Sequence, residues 1–246
     1  GYITDLSGPT ANMYGYECAR KLKKGACPDR RCLFPQACPG LKPDHSKLIR
    51  LIRRIESLPR IKKVFLASGI RHDLVMADQQ HGSAFIQKLV ADNVSGQLKL
   101  APEHSRKAVL DLMGKPGTQS LVDFKHQFDD LSEKMGKKQF LTYYLMAAHP
   151  GCTPESMQAL ARFARQTLKT RPRQVQIFTP TPATRSTLMY YTEKDPDSGT
   201  SIFVEKSAGR KDQQKQIITA RPHPKKTDRT REDPKRKNRN RRRKGR

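Results

Sequence analysis

The chain has 246 residues, 35% of them hydrophobic, and a formal net charge of +26. That length suits one large α/β domain or two small ones, and a charge so far from zero points to a polyanionic partner or a basic tail without deciding the fold. No apolar stretch nears the roughly 18 residues of a membrane-spanning helix, no signal-peptide pattern opens the sequence, and five cysteines, an odd number, argue against a disulfide scaffold. A cytoplasmic protein with no membrane partner is therefore expected, and the first residue, Gly1, suits a fragment or a processed product.

From the N-terminus, residues 2–6 are a short strand candidate. Leu48, Leu51, Ile52 and Ile55 recur at helical spacing on a basic segment, and residues 61–67 (IKKVFLA) carry the β-branched and aromatic content of a strand that stops at Ser68-Gly69. Phe85, Leu89 and Val90 mark another helix, and residues 94–101 (VSGQLKLA) alternate as a strand. Residues 108–113 read as a short helix ended by Gly114 and Pro116. Leu121, Phe124, Phe128, Leu131 and Met135 form a helical stripe closed by Gly136. Residues 140–148 are a near-continuous apolar run, the pattern of a strand buried on both faces. Thr153-Pro154-Glu155 then supplies a capping hydroxyl, a proline at the first helical position and a carboxylate at the positive helix end, before Leu160, Phe163, Ala164 and Leu168 at helical period. Residues 175–178 (VQIF) are the last strand. This alternation predicts βα units and a parallel sheet, with sites at the carboxyl ends of the strands.

Composition changes after about Lys206. Residues 221–246 hold fourteen Lys/Arg against three Asp/Glu, a balance of +11, with no Val, Ile, Leu, Phe or Tyr. Such a segment has no core to bury and is expected to be disordered. Polybasic runs bind nucleic acid non-specifically through counterion release, and RNA contact through the tail is weighed equally with a merely solubilising role.

Two motifs stand out. Cys18, Cys27, Cys32 and Cys38 lie in a C-x8-C-x4-C-x5-C loop with prolines, glycines and the basic neighbours Lys23, Lys24, Arg30 and Arg31. Thiolates ligate zinc and iron–sulfur clusters, so the loop is read as a metal site rather than as four packed thiols. His149-Pro150-Gly151-Cys152-Thr153 joins the most apolar strand to a well-capped helix, where backbone N–H groups could meet an anion, although an ordinary βα turn reads the same way. Cys152 has no evident base and orienting group, so a nucleophile is not expected there. Walker loops, serine elbows and dinucleotide-binding glycine fingerprints are absent.

The segments YITDLSGPTANMYG, CLFPQACP, KKVFLASGIRHD, SGQLKLAPEH, LDLMGKPG, YYLMAAHPGCT and QVQIFTPTPATRSTLMYYT are colinear with, and resemble, the YgiQ-type radical S-adenosylmethionine proteins. The resemblance implies that residues 1–204 are the C-terminal strands and helices of a partial (β/α)6 barrel, an incomplete barrel with the four-cysteine loop at 18–38, followed by a basic low-complexity tail at 205–246. It implies a radical enzyme that uses a [4Fe–4S] cluster to cleave S-adenosylmethionine to a 5′-deoxyadenosyl radical, on a substrate the sequence does not specify. The C-x-x-x-C-x-x-C motif for that cluster is absent from the 246 residues, so its ligands are expected upstream and this chain alone is expected to be inactive. By position, Ser7, Gly8 and Pro9 resemble the backbone that holds the cofactor's amino group, with Ser7 where the family has glycine. Ser68 and Arg71 end the next strand facing the cofactor, Glu103 resembles the residue reaching its ribose or carboxylate, and His149, Pro150 and Gly151 resemble the turn beside adenine. The four cysteines resemble the family's extra cluster, holding an auxiliary iron–sulfur cluster, zinc or nothing. The competing expectation is a zinc- and RNA-binding protein built on the cysteine loop and the tail.

Overall fold

Among the described residues, five parallel strands follow one another in the order in which they occur in the chain. A computed structural model describes residues 1–6, 8 and 10–219. The strands are β1 (Tyr2–Ile3), β2 (Lys63–Val64), β3 (Gln97–Glu103), β4 (Phe140–Ala147) and β5 (Gln176–Ile177). β1 pairs with β2, and β4 lies between β3 and β5, every pairing parallel. The two ladders are stitched together beyond the end of β2: the Lys99 N–H donates to the Ala67 carbonyl at 2.8 Å, and Ile70 bridges Leu100 in parallel. Parallel neighbours require crossover connections, and helices supply them.

α2 (Ser46–Glu56) buries Leu48, Ile49 and Ile52 beside β2 and turns Arg50, Arg53 and Arg54 outward. α3 (His72–Ala77), α4 (Gly82–Lys88) and a π-turn (Leu89–Asn93) connect β2 to β3. α5 (Lys107–Met113) stops at Gly114, whose left-handed φ of 66° suits the residue ending a helix. α6 (Gln119–Lys134) buries Leu121, Phe124 and Phe128, and α7 (Pro154–Gln166) starts at Thr153, whose hydroxyl accepts the Ser156 N–H at 3.2 Å. α8 is Arg185–Thr192, and α1 is a six-residue helix (Ala19–Lys24) in the cysteine loop. The main core lies between β2–β4 and the α2, α4 and α6 faces, and a second core joins β4 and α7.

An α/β fold with parallel strands is thus present, and the differences from the sequence reading are local. β2 is shorter than residues 61–67 because its ladder gives way to isolated links at Phe65 and Ala67. β3 runs two residues beyond Ala101, through a bulge between Leu100 and Glu103, so Glu103 ends the strand. α9 (Ala208–Thr219) packs on α7, buries Ile218, and sinks Gln214 to 1% exposure, where its amide accepts the Ala148 N–H at 3.0 Å and donates to the Cys152 carbonyl at 3.1 Å. Of the expected basic low-complexity tail at 205–246, residues 220–246 lie outside the described residues. Among the described residues, no helix is long and apolar enough to cross a membrane.

Candidate functional site

A cavity of about 440 Å³ opens at the carboxyl ends of the strands. Its walls come from the loop after β1 (Gly8, Thr10), the loop after β2 (Ser68 to Asp73), the end of β3 (Lys99 to His104), the α5–α6 connection (Lys115 to Thr118), and Tyr144 of β4. Four residues singled out in the sequence, Gly8, Ser68, Arg71 and Glu103, therefore meet in one space. Ser7 and Pro9 lie outside the described residues.

The loops are held by backbone geometry and by side chains that bracket them. Gly69 has φ of 76°, and a Cβ there would come 2.4 Å from the Gly8 carbonyl oxygen, so the close approach of the two loops requires glycine. The Ala11 N–H donates to the Gly69 carbonyl at 2.8 Å. Asp5 accepts the Ala67 N–H at 2.8 Å and the Ser68 hydroxyl at 2.9 Å. Buried Asn12 accepts the Arg71 N–H at 2.8 Å and donates to the Arg71 carbonyl at 3.0 Å.

Charges of both signs line the cavity as fixed pairs. Arg71 Nε donates to Asp73 Oδ1 at 3.0 Å and Nη2 to its second oxygen, which leaves Nη1 uncommitted among the described residues. Lys115 Nζ sits 2.8 Å from Glu103 Oε1 and donates to the Ala101 carbonyl at 2.8 Å, pinning a residue whose φ of 63° is left-handed. His72 is 8% exposed with Nδ1 3.2 Å from the Ser120 hydroxyl, and burial pushes its pKa down to about 4, so it is neutral at physiological pH.

The His149 turn is built differently. His149 is buried, its Nδ1–H donating to the Pro150 carbonyl and its Nε2 accepting the Ser186 hydroxyl, both at 2.8 Å, with Phe178 edge-on at 5.2 Å. Gly151 has φ of 84°, donates to the Phe203 carbonyl at 2.7 Å, and sits where a Cβ would meet Leu112 at 2.3 Å. His149, Pro150 and Gly151 are not among the residues lining the cavity. Cys152 does have a histidine partner, His104, at 3.5 Å. The Arg106 N–H donates to His104 Nδ1 at 3.0 Å, so the imidazole proton is on Nε2 and points at the sulfur. Both groups are fully buried, and burial pushes the thiol up to about 12. The pair fills the core between β3 and α7 and is not an activated nucleophile.

No family model matches the chain. Over 219 residues, 89% of this chain, it is 53% identical to a protein of Fusobacterium nucleatum subsp. nucleatum, of which that match covers 39%. It is 44% identical over 218 residues to a Clostridium perfringens protein and 42% identical over 218 residues to one from Methanosarcina mazei, covering 32% and 34% of those chains. All three carry the name UPF0313 protein. The chain thus spans between 32% and 39% of the length of these three UPF0313 relatives.

In this UPF0313-like chain the four cysteines of the loop are half-buried. The sulfurs of Cys18 and Cys38 converge on Gly40, 3.4 and 3.9 Å from where its Cβ would be. The Cys38 N–H donates to the Cys32 carbonyl at 2.8 Å, and the Arg20 guanidinium donates to the Cys27 sulfur. Tyr16 and Leu41, with Leu33 and Ala37, dock the loop on Leu74 of α3. Arg31 lies over the Phe34 ring and reaches Asp197 at 3.3 Å. Thiols are donors for a soft or borderline metal, yet among the described residues no three of these sulfurs lie within 4.8 Å of one another. Among the described residues, the gathering that does place three ligand-type atoms within 4.8 Å of one another is Asp44, Asp78 and His81. Asp78 is already filled: one oxygen accepts the Gln80 and His81 N–H groups, the other the His45 N–H and the His45 ring. Those bonds hold the turn that leads into α4. The sequence reading gave no role to Asp5, Asn12, His72 or Lys115, although each lies within a segment it had singled out, and that membership was the available signal.

Proposed function

We propose that this chain forms part of the core of a YgiQ-type radical S-adenosylmethionine enzyme and that the 440 Å³ cavity is where its residues meet the cofactor. The observation that carries this reading is the convergence of Gly8, Ser68, Arg71 and Glu103 on one cavity at the carboxyl ends of parallel strands. Strand order equal to chain order supports the partial (β/α)6 barrel, because doubly wound sheets reverse order at a switch point.

The cavity suits such a ligand in size and in charge. A volume of about 440 Å³ falls within the roughly 300–1,000 Å³ of small-molecule sites. S-adenosylmethionine carries an ammonium, a carboxylate and a sulfonium. The Glu103 carboxylate, held by Lys115, would attract its cationic groups or accept from its hydroxyls, and the uncommitted Nη1 of Arg71 would donate to its carboxylate. When bound, the cofactor and a reduced [4Fe–4S] cluster would supply a 5′-deoxyadenosyl radical. The cluster's C-x-x-x-C-x-x-C ligands are not in these 246 residues, so this chain's part is to bind and orient. Cys18, Cys27, Cys32 and Cys38 would hold a separate metal ion or cluster.

Isothermal titration of the chain with S-adenosylmethionine tests the reading. Saturable one-to-one binding, weakened about tenfold by Glu103→Gln with the melting temperature unchanged, is expected. Failure to bind at millimolar ligand, or binding indifferent to Glu103, would contradict it.

A further inference from the structure

Behind the cavity wall runs a buried line of polar groups that the cofactor reading does not use. The Asp78 carboxylate lies 2.8 Å from His45 Nδ1, and His45 Nε2 lies 3.1 Å from Asn12 Nδ2. Asn12 in turn brackets the Arg71 N–H and carbonyl. Asn12, His45 and Asp78 are 1%, 0% and 6% exposed. Because an ionised carboxylate only accepts, the imidazole proton must be on Nδ1, so Nε2 accepts from the Asn12 amide. One amide hydrogen goes to His45 and the other to the Arg71 carbonyl, while the amide oxygen takes the Arg71 N–H. Each link has one direction, and every donor has an acceptor.

We propose that Asn12 and His45 are positioning residues for the cavity: the Asp78–His45–Asn12 line fixes the Arg71 backbone in the cavity wall, and fixes it only while His45 is neutral. The proposal rests on the S-adenosylmethionine reading of the cavity for its ligand, though not for its geometry. Protonating His45 would put a second N–H against the Asn12 amide hydrogens. That collision turns the Asn12 amide and takes the acceptor from the Arg71 N–H, for which no other acceptor stands among the described residues, while the Arg71 carbonyl keeps the Val75 N–H at 3.3 Å. Facing His45 are Asp78 and His81 from the α3–α4 turn, Asp44 before α2, Tyr16 at 6.2 Å between ring centroids, and Phe85 of α4 stacked at 4.8 Å. Burial outweighs the two carboxylates and lowers the His45 pKa, so the neutral form is the resident one at physiological pH.

The test compares the unaltered chain with Asn12→Ala and Asn12→Asp, reading the exchange rate of the Arg71 amide and the dissociation constant for S-adenosylmethionine between pH 7 and 5. In both variants at pH 7 the Arg71 amide is expected to exchange at least tenfold faster and the ligand to bind at least tenfold more weakly, with amides in α6 unchanged. The pH profiles separate positioning from mere packing. Affinity of the unaltered chain falls towards pH 5. Affinity of Asn12→Asp rises, because a protonated His45 then donates to two carboxylates. Parallel profiles, or an Arg71 amide indifferent to both substitutions, would overturn the proposal. If Asn12→Ala fails to fold, Asn12→Asp, which keeps the shape, carries the comparison. Absence of ligand binding by the unaltered chain, with Arg71 exchange still governed by Asn12, would sink the cofactor reading while supporting the positioning of Arg71.

Discussion

The loop after β2 and the turn after β4 occupy equivalent places in two of the βα units and are secured in opposite ways. In the first, side chains already passed in the chain reach back to the backbone: Asp5 holds Ala67 and Ser68, and Asn12 holds Arg71. In the second, segments later in the chain close over the turn: Gln214 of α9 holds Ala148 and Cys152, and the Phe203 carbonyl holds Gly151. The first arrangement leaves a cavity with charged walls, and the second fills the space behind the turn with Leu112, Phe178 and Ser186. A glycine at positive φ and a neighbouring histidine mark both loops, so those signals report the turn's geometry and not its use.

The largest expected effect breaks the first loop. Gly69→Val places a branched side chain at φ of 76° against the Gly8 carbonyl, and strain plus overlap should cost about 4 kcal/mol. Denaturant titration measures it, and ligand binding should vanish with it.

Acid comes next. His72 and His104 have folded pKa values of about 4, lowered mainly by burial, against about 6.5 unfolded. The unfolded chain therefore binds more protons, and stability should fall as pH drops below 6.5. The loss approaches about 3 kcal/mol per histidine by pH 4. Urea midpoints measured from pH 7 to 4 check the sign; a midpoint that rises on acidification would contradict it.

For the second loop, Gln214→Ala removes two buried hydrogen bonds and should destabilise by about 2 kcal/mol, with faster exchange of the Ala148 amide. The smallest effect is chemical. Cys152, with its thiol at about 12, should resist iodoacetamide in the native chain, and the four loop thiols should be modified first.

Much of this scaffold was legible in the sequence. The apolar run at 140–148, the Thr153-Pro154 cap and Gly114 as a helix stop are local signals, and each governs the element it sits in. The four residues that meet in the cavity were legible through resemblance, not through periodicity. The Asp78–His45–Asn12 line was not legible, since its members are 33 residues apart and no repeat pattern encodes which buried polar groups will pair. α9 was hidden for a related reason. Ile217 and Ile218 are its only large apolar residues, and a glutamine fixes it to the fold through hydrogen bonds rather than through an apolar stripe.

The most direct measurement of the central claim is amide exchange of the chain with and without saturating S-adenosylmethionine. The account predicts that the ligand slows exchange at Gly69 to Asp73 and at Glu103 and His104, on either side of the cavity. Unchanged exchange at both segments under saturating ligand would contradict it.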